Sequence, residues 1–552
     1  MLWLVWCLPA VAGGGPMNVL VLYNGQDSEA AGVASYYADV RSIPAAQLCP
    51  VAGVDPLAQS LTFEDYAATV QPALRTCLAG IPAADEIDYI VTIRGLPYRV
   101  DITDGYSASL EAMLQIDGAT DGNGLEIAGQ AQAYSSGLYL ASIDNPAFVA
   151  GYASEGDFTE ENPYAGSYQS APEVVKTARQ PKSFRRSAGW ASGGAEFTGH
   201  LFVVTRLDGF DYDDAMDLVD RGAAADGTFP TADILCMRGA DEARAARDPE
   251  CEYTTRMLTA AGFSGTWVDT HDAALAGFSL AAYFTGTQTL TEGIAGNEYV
   301  PGAIADNLTS TGAYPQNFYC SDDGLTCPAS EAQTSIARYI RAGATGAHGA
   351  VNEPLNNSFP LASALLFYTF GYNLGESQMM ALRYLYWQNL FLGDPLATPY
   401  GERPVVTLSA TQTIPRGEPL LVTATHPDGV AEIRVYIDGA YVGGVEGDQA
   451  SVAVEGDEGD IHEVIAVAIA ENVEVQRDGW PEPNQEPRAD VQGWVRVMLE
   501  VGPSGDGPDT ADTSDTSDTS EPCGCGQQDV SPWPAAMIAA TLLLRRREAD
   551  DR

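Results

Sequence analysis

The feature that most restricts what this chain can fold into is a regular alternation of short apolar runs and helical stretches between residues 19 and 400. VLVLYN (19–24) has no polar face, as suits a strand covered on both sides. Asp27-Ser28-Glu29 then reads as a helix start, with Val33, Tyr36, Tyr37 and Val40 at helical spacing. Further strands are expected at 88–95, 200–209, 265–270, 278–286, 301–310 and 343–351, with helices between them, among them 212–225, 330–342 and 375–390. Parallel strands need long crossovers, and helices supply them. The order therefore predicts an α/β domain over 16–400, a mostly parallel sheet with helices on both faces. After Gly393-Asp394-Pro395-Leu396 the period drops to two. Segments 404–410, 419–426, 431–442, 451–455, 462–473 and 493–501 alternate apolar and polar residues around turn signals at 427–429 and 438–439, which predicts an all-β immunoglobulin-like sandwich over 403–501.

The two ends give an address. Residues 1–12 read as a signal peptide, because Leu2 to Val11 is apolar and Ala10-Val11-Ala12 is a small-x-small pattern that signal peptidase cuts after. A positive n-region is missing, so a short buried segment leading to Val19 is the alternative; Cys7 mimics a lipoprotein site, but the apolar run before it is short. Residues 502–522 form an acidic Asp/Thr/Ser linker with nothing to bury. The remaining 523–552 hold Cys523 and Cys525, an apolar run over 533–544 that is shorter than the ~17–25 residues of a spanning helix, and Arg545-Arg546-Arg547. Together these parts resemble the MYXO-CTERM sorting tail of myxobacterial surface proteins. The resemblance implies anchoring at the cell surface or outer membrane, a sorting protease as partner, and membrane contact through the terminal segments only.

Composition narrows the function. With 28 basic and 75 acidic residues the formal charge is −47, which repels nucleic acid. Six further cysteines pair by proximity as Cys49–Cys77, Cys236–Cys251 and Cys320–Cys327, in keeping with an oxidising compartment, although other pairings are open. No CxxC and only five histidines argue against zinc. No glycine-rich phosphate loop follows the first strand, where Asn24-Gly25-Gln26-Asp27 stands, so no nucleotide cofactor is expected. Calcium is the one ion with candidates, at Asp208, Asp211, Asp213, Asp214 and Asp217 and at Asp117, Asp121, Asn123 and Glu126; neither set has EF-hand spacing, and a solvated acidic face is the default.

Ligands of open parallel sheets bind where the strands end and the loops diverge. The candidates there are Arg94, Arg206 and Asp208, a substrate clamp or an ion pair fastening loops; Thr287; Ser310; His348; and Glu353. VLVLYN with YYADVRSIPAAQL, DYIVTIRGLPYRV, VVTRLDG, PGAIADNLTSTGA, GATGAHGAVNEP and GDPLATP together resemble an uncharacterised family of exported bacterial proteins. The layout is more distantly similar to gingipain-type cysteine peptidases of the caspase-like fold, which also place an Ig-like domain after a GDP motif. That similarity implies a catalytic His after one strand and a nucleophilic Cys after the next. Here AAYFTGTQ carries Thr287 in the first place and NLTSTGA carries Ser310 near the second. The reading is thus a degenerate peptidase scaffold that binds an unknown surface ligand or serves as structure. The alternatives are a hydrolase using Ser310 or His348 at the strand-end crevice, the two acting together if His348 reaches Ser310 with Asp208 or Glu353 orienting the ring, and a calcium-stabilised adhesin.

Overall fold

The computed structural model describes residues 13–103, 106–117, 119–121, 143–144, 187–192, 195–199, 201–290, 292–318, 333–385, 387–472 and 489–504. All of them belong to one compact unit, Met1–Gly505.

Ten strands form its main sheet: β1 (Val19–Asn24), β2 (Leu48–Val51), β3 (Tyr89–Ile93), β4 (Val203–Leu207), β5 (Asp233–Met237), β6 (Gly265–Val268), β7 (Ser279–Thr285), β8 (Glu298–Asn307), β9 (Gly346–Ala350) and β10 (Asn389–Gly393). Their order across the sheet is β6-β5-β7-β8-β9-β10-β4-β3-β1-β2. Pairing is parallel from β6 through β9 and again from β4 through β2. Between the two groups, β10 runs antiparallel to β9 and meets β4 in a single bridge, Arg206 with Leu392. Tyr98, just after β3, stacks on Phe318 beyond β8 with ring centroids 4.5 Å apart, so the loops after these two strands meet.

Local chemistry explains the first unit. Val19, Leu20, Val21 and Leu22 are fully buried, each such aliphatic side chain stabilising the fold by about 1.5–3 kcal/mol. Asp27 caps α1 (Ser28–Arg41), accepting from the backbone N–H groups of Glu29 and Ala30. Ser42, left-handed at φ 61°, ends it. At the helix end, Tyr37 Oη and Arg41 Nε donate to Asp394, just past β10, at 2.7 and 2.6 Å, and Arg41 also holds Asp226 at 2.6 Å. Asp226 is the C-cap of α2 (Tyr212–Ala225). Two carboxylates bridged by Arg41, Asp394 and Asp226, therefore fasten the antiparallel strand to the helices that follow β1 and β4.

Two helix expectations need correction, and two strands of the main sheet were not expected. The helix expected over 375–390 stops at Ala381 as α3 (Leu374–Ala381), because Leu382 turns extended and Leu390 enters β10 in the centre of the sheet. Asn-Leu-Phe-Leu-Gly has no β-branched residue, so position rather than propensity makes it a strand. The helix expected over 330–342 is Ala337–Arg341 among the described residues. Strands β2 and β5 went unforeseen.

The C-terminal part is a two-layer β structure. Strands Val405–Leu408, Pro419–Thr425 and Gln449–Ala453 form an antiparallel sheet of three. Thr413–Pro415, Ala489–Gly502, Ile461–Asn472, Glu432–Ile437 and Ala440–Glu446 form a mostly antiparallel sheet of five. Leu420 and Val422 from one sheet bury against Ile433, Val464 and Leu499 of the other. The outer face of the larger sheet, through Tyr436, Ile465, Val467 and Ile469, packs on Met17 and Ala83 of the α/β body.

Candidate functional site

The arginines expected at the strand ends are interior groups. Arg206, Asp208 and Glu111 have no exposed surface. Arg206 Nε donates to Glu111 Oε1 at 2.8 Å, its Nη1 to Asp208 Oδ2 at 3.2 Å and to the Leu96 carbonyl at 2.9 Å, and its Nη2 to the Pro97 carbonyl at 2.6 Å. Arg94 reaches the other oxygen of Asp208 at 2.7 Å and the Gly209 carbonyl at 2.8 Å. The Tyr98 ring lies 4.6 Å under the Arg206 guanidinium. Burial pulls the Arg206 pKa down, but Glu111 and Asp208 outweigh it and raise it. Two cations and two anions thus cancel in the interior and fasten the loops after β3 and β4, as the ion-pair alternative expects. A clamp needs cationic surface facing solvent, and this cluster offers almost none.

His348 lies inside β9 rather than in a loop beyond it. Neither Asp208 nor Glu353 orients it. Parallel register sets Asp306 of β8 beside it, and its Nδ1 lies 2.8 Å from Asp306 Oδ2 while Nε2 lies 2.9 Å from Asn389 Oδ1. Arg247 closes the group, 2.7 Å from the second oxygen of Asp306, with further bonds to the Pro360 and Thr285 carbonyls. Burial raises the Asp306 carboxyl, yet Arg247 and His348 outweigh it and hold it below the usual value. Phe359 and Phe391 pack on the imidazole. The cavity beside it is about 10 Å³, bounded by Asp306, Gln378 and Phe391 among others, and admits nothing larger than a water.

Ser310 belongs to a separate, solvent-facing group. Its hydroxyl donates to Glu353 Oε1 at 2.7 Å, and its backbone N–H donates to Gln333 Oε1 at 2.6 Å; Thr309 bonds the same amide. The expected Ser310–His348 pair does not form, since both ring nitrogens are engaged in the sheet. Thr287 is buried, its backbone held at both ends by the Asn307 amide at 2.8 and 3.0 Å. Its hydroxyl lies 3.5 Å from Nε2 of His271, whose Nδ1 lies 3.3 Å from the Arg238 carbonyl. Sequence reasoning missed His271, Asp306, Arg247, Asn389 and Glu111. Asp306 stands within the recognised AIADN run, but only strand register reveals that it faces His348.

The remaining candidates divide in the same way. Cys49–Cys77 and Cys236–Cys251 are disulfide-paired, each with Cα atoms 6.0 Å apart. Cys320, Cys327, Cys523 and Cys525 lie outside the described residues, as do Asn123 and Glu126. Asp211 and Asp214 hold Arg341 at 2.6 Å each, Asp217 holds Arg221 at 2.5 Å and Asp117 holds Arg75. Among the described residues no group of three or more His, Cys, Asp or Glu side chains is arranged to hold a metal, and no helix is long and apolar enough to cross a membrane.

Set beside known proteins, the chain matches no family model and no curated protein. Among solved structures it is similar to one described as "Structure of Protease", over 88% of this chain and 98% of that one, at 10% identity and a TM-score of 0.38. Fibronectin(III)-like modules of Clostridium thermocellum CbhA match over 18% of this chain and 48% of theirs, at 21% identity and a TM-score of 0.13. The Clostridium perfringens spore cortex lytic enzyme SleM matches over 54% and 78%, at 9% identity and a TM-score of 0.14. At these scores none of the three assigns this chain an activity.

Proposed function

We propose that this chain is an exported, surface-anchored protein whose α/β body is a catalytically degenerate, peptidase-like scaffold with a binding or structural role, braced by an Ig-like sandwich. The observation that carries the reading is the separation of the two groups a hydrolase would have to unite. His348 is locked between Asp306 and Asn389 inside the sheet, and the Ser310 hydroxyl is given to Glu353. The two disulfides favour an oxidising compartment. The MYXO-CTERM-type tail, with Cys523 and Cys525 acted on by a sorting protease, would supply the anchor. The solvent-facing loops around Ser310 and Glu353 are the surface on which a ligand would be read.

A second reading keeps one observation in its favour. Glu353 lies within proton-transfer reach of the Ser310 hydroxyl, so a hydrolase would use Glu353, not His348, as base. A fluorophosphonate probe on the full-length protein, mapped by peptide mass spectrometry, separates the two. The scaffold reading expects no labelling of Ser310; stoichiometric labelling there, lost in Glu353→Gln, would establish the hydrolase instead.

A further inference from the structure

Gly13-Gly14-Gly15 runs between the α/β body and the sandwich, and all three residues are buried. Only glycine fits. A Cβ on Gly13 would strike the Asp490 carbonyl, one on Gly14 the Tyr89 ring, and one on Gly15 the Gln492 side chain. The Gly13 nitrogen donates at 2.8 Å to Oε1 of Glu376, a fully buried carboxylate in the first turn of α3. That oxygen also accepts from Tyr89 Oη at 2.8 Å, and Tyr89 Oη in turn accepts from the Gly14 N–H at 3.0 Å and from Asn373 Nδ2 at 2.9 Å. A buried carboxylate is thereby aimed at the backbone nitrogen that directly follows Ala10-Val11-Ala12, the small-x-small pattern of a signal-peptidase site.

An amide at that position offers Glu376 one hydrogen and no charge. An α-ammonium offers three hydrogens and a full positive charge, and charge-assisted bonds to a buried carboxylate are roughly twice as strong as neutral ones. We propose that hydrolysis of the Ala12–Gly13 bond frees a Gly13 α-ammonium that forms a buried ion pair with Glu376 and locks the sandwich strand at 490–492 onto the α/β body. Water adds to the Ala12 carbonyl and the C–N bond breaks. The leader departs as a carboxylate and its former partner nitrogen, protonated, stays beside Glu376. The cleavage rests on the export reading above; the ion pair rests on the contacts of Gly13. Maturation would then complete the fold, and the three glycines would be a seat for the new terminus rather than a linker.

The chain has only two lysines, Lys176 and Lys182, so amine chemistry reads the terminus cleanly. The exported protein is sequenced from its N-terminus by mass spectrometry, then acylated with a succinimidyl acetate ester in buffer and in urea. The expected result is a chain beginning at Gly13 whose α-amine reacts at least about tenfold more slowly native than unfolded. A chain retaining Ala12 should show a native-state amine that reacts freely and a lower melting temperature, and Glu376→Gln should do the same to the chain that starts at Gly13. A Gly13 amine that reacts equally fast in both states overturns the ion pair. An exported chain that begins elsewhere overturns the cleavage and leaves export standing, a chain found only inside the cell overturns the export reading, and in either case the ion pair is decided by the same acylation of a chain produced to begin at Gly13.

Discussion

Replacing Arg206 by methionine distinguishes a ligand clamp from an interior fastener. The side chain makes four polar bonds, two to carboxylates and two to carbonyls, with no exposed surface. Methionine retains much of the apolar volume against Tyr98 but leaves Glu111 with only the Thr92 hydroxyl at 2.8 Å. Asp208 is better placed, because Arg94 still holds it at 2.7 Å. One uncompensated buried carboxylate therefore sets the scale, and breaking such a pair costs about 3–5 kcal/mol. Removing both partners is cheaper than removing one, so Arg206→Met/Glu111→Leu should unfold at a higher urea concentration than Arg206→Met alone. Urea unfolding followed by tryptophan fluorescence gives the differences from the midpoints and slopes. A loss below ~1 kcal/mol in the single variant, or a double variant no more stable than Arg206→Met alone, would refute the argument.

Other groups yield smaller and equally direct tests. Asp306 is held below its usual pKa by Arg247 and His348 against the opposing effect of burial. Its contribution to stability is therefore present above the unfolded value of ~3.9 and lost as pH falls through the lower folded value, so the stability gap between wild type and Asp306→Asn should narrow in acid urea titrations. Glu250 behaves oppositely: burial pushes its carboxyl up to about 7 despite the N–H groups of Ala362 and Ser363. Between ~4.3 and that value the folded state keeps a proton the unfolded state has released, so stability should decline as pH rises, and Glu250→Gln should flatten the decline in the same titration. The Cys236–Cys251 bridge spans 15 residues, and Cys236→Ser/Cys251→Ser should cost ~3 kcal/mol, read as a lower urea midpoint that reductant shifts less than in wild type, the remaining shift belonging to Cys49–Cys77.

Much of the α/β architecture was legible because its strands are continuous apolar runs and its helices have readable starts. Asp27 and Asp211 cap the helices where their side chains predict. The sandwich strands followed from strict alternation, as in Pro419–Thr425, where every second residue is buried. Strand β10 was not legible: Asn-Leu-Phe-Leu-Gly follows a helix whose apolar spacing continues through Leu390, and only the open slot between β9 and β4 makes it extended. The site was legible as a set of residues but not as a set of partners. Arg94 and Asp208 could be paired from the sequence, whereas the Asp306–His348 contact depends on strand register and the His271–Thr287 approach joins loops beyond separate strands.

The account stands or falls on whether His348 is sealed within the sheet. Diethyl pyrocarbonate modification of the full-length protein, resolved histidine by histidine by mass spectrometry in native buffer and in urea, tests this directly. The account predicts that native His348 is protected while the half-buried His271 is modified, and that both react once the chain unfolds. Native His348 modified as fast as in the unfolded chain would contradict it, and would return the imidazole to the list of groups able to do chemistry at the strand ends.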